Sequence, residues 1–173
     1  MSNPMQEIFL SKVTANMGIG ASEDKLDNAK ALLKKLTGRN AAFTIAKNRF
    51  PEFGIKKGQI IGTMVTLRND DAAAFLKSAL DANNNTIAPG SIANNSVNFG
   101  IKEYIYFSGI KYDPKIGMLG LNINASFSRK GARIENRKRK SGKASKKHKQ
   151  ISNGDIMSYL EKNFGVKIAE KER

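Results

Sequence analysis

The residue pattern predicts an α+β fold: a two-layer single domain over residues 1–173, its mainly antiparallel sheet covered on one face by helices, with a long basic loop before the C-terminal helix. Three observations predict it. Segments that alternate apolar and polar residues, or are rich in β-branched ones, occur in both halves of the chain. Three segments with apolar residues on a helical stripe lie between and after them. Residues 129–150, between the last strand and the last helix, hold eleven Lys or Arg side chains against one acid, Glu135.

Residues 7–17 (EIFLSKVTANM) alternate as a half-buried strand does, and GIGAS breaks the pattern with two glycines. Ser22 is placed to cap a helix, Glu23 and Asp24 sit where the helix dipole favours acids, and Leu26, Ala29, Leu33 and Leu36 share a face; Gly38 supplies the stop. Residues 41–49 and 60–68 read as strands, joined by a loop with Phe50, Pro51, Phe53, Lys56 and Lys57. Phe50, directly before Pro51, is expected in the core, and Phe53, beside Gly54, at the surface. Residues 70–82 put acids first and strong helix formers after, so a second helix follows. The Asn-rich stretch 83–96 is turn-forming; 96–101, 103–107 and 120–128 are strand candidates, with a turn at Tyr112-Asp113-Pro114. In the last segment Ser152 caps, Asp155 follows three residues on, and Ile156, Tyr159, Leu160 and Phe164 form one stripe.

A chain of 173 residues, 40% hydrophobic, with nine Phe and four Tyr, has material for one core. Its apolar runs are far shorter than the roughly 20 residues that cross a bilayer, and its first residues lack the apolar stretch of a secretory signal. A soluble intracellular protein with no membrane partner is expected. The absence of cysteine excludes disulfides and thiolate metal sites. The net charge is +15, and both the basic segment and the remainder are positive on their own. Such an excess repels itself unless a polyanion neutralises it, and nucleic acid is the cellular partner with closely spaced negative charge.

Nothing points to catalysis, a metal or a cofactor. His148 stands among lysines with no carboxylate close in sequence, so it reads as a further phosphate contact and not as a general base. The GIG at 18–20 lacks the third glycine of a dinucleotide loop and the GK of a P-loop. Asp70 and Asp71 open a helix, where acids are stabilised in any case.

Two basic elements remain. The tract at 129–150 offers Arg129, Lys130, Arg133, Arg137, Lys138, Arg139, Lys140, Lys143, Lys146, Lys147, His148 and Lys149, with Gly131 and Gly142 to let it bend. Arginine holds phosphate oxygens bidentately or stacks on unpaired bases. Without RNA the tract is expected to be disordered. The loop at 46–59 and its flanks add Arg39, Lys47, Asn48, Arg49, Lys56, Lys57 and Arg68, with Phe53 able to stack.

The succession VTANMGIG, LTGRNAAFTIAKNRFPEFGIKKG, IGTMVTLR, NFGIKEY, YDPKIGMLGL and RKGARI, in this order and at these separations, resembles large-subunit ribosomal protein five, the 5S ribosomal RNA-binding family, in its archaeal and eukaryotic branch and on the archaeal side of it. The resemblance runs from about Val13 to Lys167. It implies a cytoplasmic, ribosome-bound, non-catalytic protein of the central protuberance. Its implied partners are 5S rRNA, large-subunit rRNA, P-site tRNA, other central-protuberance proteins and a small-subunit head protein, with no homo-oligomer. It implies 5S contacts at Asn16, Arg39, Phe53, Thr66 and Arg68. Arg39 stands where relatives carry glutamine, which changes shape and adds phosphate attraction. The loop at 46–59, with Lys47, Asn48, Arg49, Lys56 and Lys57, is implied to face tRNA. Further departures are Lys130 for proline, Asn122 for an acid, and Tyr104 for His or Gln. The rival reading is a general DNA- or RNA-binding basic protein outside the ribosome.

Overall fold

Strand β1 (Ile8–Gly18) shows how the sheet is sided: Val13, Ala15 and Met17 are buried, while Lys12, Asn16 and Gly18 are exposed, as the period of two along a strand requires. The computed structural model describes residues 3–20, 22–93, 95–135 and 137–168. β1 lies centrally. On one side it pairs with β3 (Ile60–Leu67), which pairs with β2 (Ala42–Ile45). On the other it pairs with β7 (Leu121–Arg129), followed outward by β6 (Ser96–Ile101) and β5 (Ile92–Ala93). The order is β2-β3-β1-β7-β6-β5, and every pairing in this six-stranded sheet is antiparallel.

The register of β1 against β7 shifts between Leu10 and Lys12, so that Ser11 is an extra residue. A bulge of this kind reverses the side-chain parity of everything before it. Leu10, opposite Phe127, therefore stays with the core, while Phe9, opposite Ser128, turns to the same face as Lys12, opposite Ser126.

Helices cover one face only. α1 (Glu23–Thr37) packs on β3 and α2 (Asn69–Ala82) on β1. The chain then forms α3 (Lys146–Lys149) inside the basic tract and α4 (Asn153–Phe164), which lies by β5. Leu26, Ala29, Leu32 and Leu33 of α1, Phe75, Leu76 and Leu80 of α2, and Ile156 and Leu160 of α4 are buried between the layers. Each such large side chain is worth about 1.5–3 kcal/mol of transfer free energy. The caps stop the helices where the sequence places them. Gly38 and Gly165 adopt left-handed φ of 68° and 65°, and the Ser152 hydroxyl accepts the Asp155 amide at 3.2 Å. The side chains of Glu23 and Asp24 lie outside the described residues. β4 (Thr86–Ile87) and β8 (Lys167–Ile168) form a separate parallel pair.

The structure corrects the sequence reading in four places. The strand expected over 41–49 ends at Ile45, because Ala46 closes a turn with Gln59 and Gly58. Phe50 is 48% exposed, not core: it pairs with Ile55 in a small hairpin that continues past the sheet. Residues 103–107 are no strand but a single 3-10 turn at Tyr104–Tyr106, since Tyr104 is wholly buried and its hydroxyl accepts the Asp113 amide at 2.9 Å. The stretch 83–96, expected to be one long surface loop, instead carries β4, a turn at Pro89–Ser91 and β5.

Candidate nucleic-acid interface

The helix-free face of the sheet is a ladder of small polar side chains. Asn16 lies opposite Met64 on one neighbour and Asn122 on the other, Thr14 opposite Thr66 and Asn124, and Asn98 beyond Asn124. Asn16 and Thr66 are both exposed and lie on the same face, since each alternates with buried residues of its strand. Asn16 stands within β1 and does not serve the glycine turn that follows. Part of this face is already organised: Asn124 donates to Asn98, and Ser126 donates to Asn124 at 3.1 Å. A stretch of uncharged hydrogen-bonding side chains of this kind reads shape and base edges of RNA better than it attracts charge. The charge stands at its rims.

One rim is the hairpin beyond β2 and β3. Phe50 and Ile55 exchange backbone hydrogen bonds of 3.0 and 3.1 Å, and the Lys56 amide donates to the Gln59 side chain at 3.0 Å. Closed in this way, the tip presents Lys47, Asn48, Arg49, Lys56 and Lys57, all exposed, around Phe53, which is 72% exposed. Arg39 stands apart from this group. Its Nε donates to Asp71 at 3.0 Å, which holds it to the first turn of α2 in the helix layer.

The other rim is the basic tract, and it has more local order than its composition suggests. Glu135 is the reason. Its carboxylate accepts from Lys149 Nζ at 2.5 Å and from the Ala144 amide at 3.0 Å, joining the outgoing and returning arms. The Gly142 amide donates to the Ile134 carbonyl at 3.2 Å between them. His148 Nε2 donates to the Lys130 carbonyl at 2.9 Å, so this nitrogen is a tie within the chain and not a free phosphate contact. Arg129 pairs with Asp155, Lys130 with Glu7 and Lys149 with Glu135. The other eight, Arg133, Arg137, Lys138, Arg139, Lys140, Lys143, Lys146 and Lys147, have no carboxylate partner among the described residues, so they are the ones open to phosphate.

The Lys149 ammonium, and after it the Ala144 amide, hold the Glu135 carboxyl below the ordinary 4.5. A lowered carboxylate pKa stabilises closure above the ordinary value, and that contribution disappears as pH falls through the lowered one. The tract is therefore expected to stay closed at neutral pH and to open on the acidic side of 4.5. Glu135→Ala should open it at every pH. Faster amide exchange at Ala144 and Gly142, with an unchanged melting temperature, is the expected reading; unaltered exchange would show that Glu135 is no staple.

Between the sheet and the tract lies a cleft of about 1020 Å³, lined by Lys12, Arg68, Arg133, Arg137 and Lys138 together with Phe9 and Ser128. Arg68, at the N-cap of α2, and Lys12 of β1 thus face cations of the tract across open space.

Residues 3–56 match the family model described as Ribosomal protein L5, and residues 60–159 match the model that describes the C-terminus of the same ribosomal family. The chain belongs to the ribosomal protein L5 family. Relatives described as large ribosomal subunit protein uL5 are similar over almost the whole length. That of Picrophilus torridus is 44% identical over 168 residues, covering 96% of this chain and 95% of the relative. That of Sulfurisphaera tokodaii is 40% identical over 169 residues, 97% and 96% of the two. That of Nitrosopumilus maritimus is 39% identical over 168 residues, 96% of each. The archaeal side of the resemblance is thereby upheld. The two family models meet between residues 56 and 60, where the hairpin tip returns to β3; β2 and β3 nevertheless pair across that boundary in one sheet.

Within this L5 fold, the sequence reading singled out Asn16 and Thr66 but not Lys12, Thr14, Asn98 and Asn124, which lie on the same face. Alternation held the signal: counting back in twos from Asn16 gives Thr14 and Lys12. Phe9 has no such signal, because only the bulge at Ser11 turns it to this side.

Proposed function

We propose that the chain, working as one RNA-binding unit, binds 5S rRNA on its open sheet face, with Asn16 and Thr66 as shape-reading contacts. In the same proposal the basic tract runs over large-subunit rRNA. The hairpin at 46–59 reaches toward P-site tRNA and a small-subunit head protein. Arg39 takes part only by releasing Asp71 for phosphate. As a member of the L5 family the chain is a structural, non-catalytic constituent of the large ribosomal subunit, and ribosome-bound for that reason. Assembly there brings rRNA and other ribosomal proteins against it. The observation that supports the finer reading best is a helix-free antiparallel sheet face of Asn and Thr side chains with cations at both rims. Such a face supplies hydrogen bonds to an irregular RNA surface, and the rims supply the attraction.

Asn16→Ala combined with Thr66→Ala tests it. Both residues are exposed, so thermal stability should stay within a degree or so of the parent. Affinity for an isolated 5S rRNA transcript should fall by roughly 1–3 kcal/mol, the net worth of two such hydrogen bonds, while binding to duplex DNA of equal length at the same salt should not change. Equal loss on both nucleic acids would return the chain to a general basic binder.

A further inference from the structure

The cleft between β1 and the basic tract combines two features. Five cations line it with no carboxylate in the lining, which focuses positive potential into a concave space. Its floor carries Phe9, an aromatic ring 40% exposed on the helix-free side of the sheet.

We infer that this cleft is a pocket for one unpaired RNA nucleotide. The base or sugar rests on Phe9, and the flanking phosphates are held by Lys12 of β1, by Arg68 at the N-cap of α2 and by Arg133, Arg137 and Lys138 from the tract. The inference rests on the RNA-binding reading and adds a site to it. Lys12 and Arg68 on one side and the tract on the other, separate in sequence, are two walls of one pocket, and the tract acts as its roof as well as a strap over RNA. A volume of about 1020 Å³ lies at the top of the range for small-molecule sites, roughly 300–1,000 Å³, so a nucleotide with both phosphates fits. A paired nucleotide does not use this floor, because its base faces are stacked within the helix; a splayed-out one offers a free π-face. The bulge at Ser11 is then functional. Without it Phe9 would point to the helix layer, and the floor would be Ile8 or Leu10.

The test uses the full chain with two probes at one salt concentration: an RNA hairpin with an unpaired loop, and a fully paired RNA of equal charge. Phe9→Thr keeps a β-forming residue and should weaken hairpin binding about five-fold or more, leaving duplex binding unchanged; Phe9→Tyr should restore the preference. Lys12→Gln and Arg133→Gln should weaken both probes, each lowering the salt slope by about 0.7–0.9. Their combination should cost less than the product of the single effects, since both hold the same nucleotide. A Phe9→Thr protein that loses equally on both probes, or on neither, overturns the pocket. A parent chain that prefers neither RNA over heparin overturns the RNA-binding reading itself, which is a separate outcome.

Discussion

Replacing the eight unpaired cations of the tract with glutamine, at Arg133, Arg137, Lys138, Arg139, Lys140, Lys143, Lys146 and Lys147, should weaken binding to ribosomal RNA by roughly three to five orders of magnitude near physiological salt. The melting temperature should barely move. The size follows from counterion release: each phosphate contact contributes about 0.7–0.9 to the slope of log affinity against log salt, so losing eight flattens it by roughly 6 to 7. The eight are chosen because Arg129, Lys130 and Lys149 are already engaged with Asp155, Glu7 and Glu135 and support the fold. Substitution is the cleaner experiment than deletion, because the tract's returning arm ends on Ile151, which is buried beside α4. Removing the segment would disturb the core and confuse a lost contact with a lost fold. A slope unchanged in the glutamine protein would mean that these cations are solvated in the complex as well.

Much of this arrangement was legible in the sequence for local reasons. Ser22, Gly38 and Ser152 mark helix ends through their own backbone preferences, so α1 and α4 begin or stop within a residue of expectation. Asn16 and Thr66 come to one face because alternation is a property of each strand alone. What was hidden depends on partners distant in sequence. Tyr-Ile-Tyr has strand composition, yet the chain turns there because Tyr104 is needed in the core and finds the Asp113 amide. Arg39 reads as free until Asp71, 32 residues on, takes it. The tract reads as disordered because one acid among eleven bases looks incidental; in three dimensions Glu135 touches both arms. Pairs such as β4 with β8 are two residues long, too short for any periodicity to show.

The second large effect concerns where the tract is tied down. Asn95→Ala should lower stability by roughly 2–4 kcal/mol, combining two lost hydrogen bonds with a backbone conformation that alanine resists. The Asn95 side chain donates to the Lys149 carbonyl at 2.6 Å and accepts the Ile151 amide at 2.8 Å, while its own carbonyl accepts the Phe127 amide at 2.8 Å. One residue therefore links the end of the tract, the start of α4 and strand β7. It does so at φ 61°, a region asparagine tolerates and alanine does not. For a chain of this length the expected fall in melting temperature is about 5–15 °C. Asn95→Gly separates the causes: glycine accepts the left-handed backbone, so it should recover about 1 kcal/mol relative to alanine while still lacking both side-chain bonds. RNA affinity should fall in both variants, because the Lys149 end of the tract is released and Arg133, Arg137 and Lys138 are no longer held over β1. If alanine and glycine melt alike, strain contributes nothing and the hydrogen bonds carry the tie. Should both melt like the parent, Asn95 is no tie, and the tract is positioned by Glu135, His148 and the ion pairs of Arg129 with Asp155 and Lys130 with Glu7.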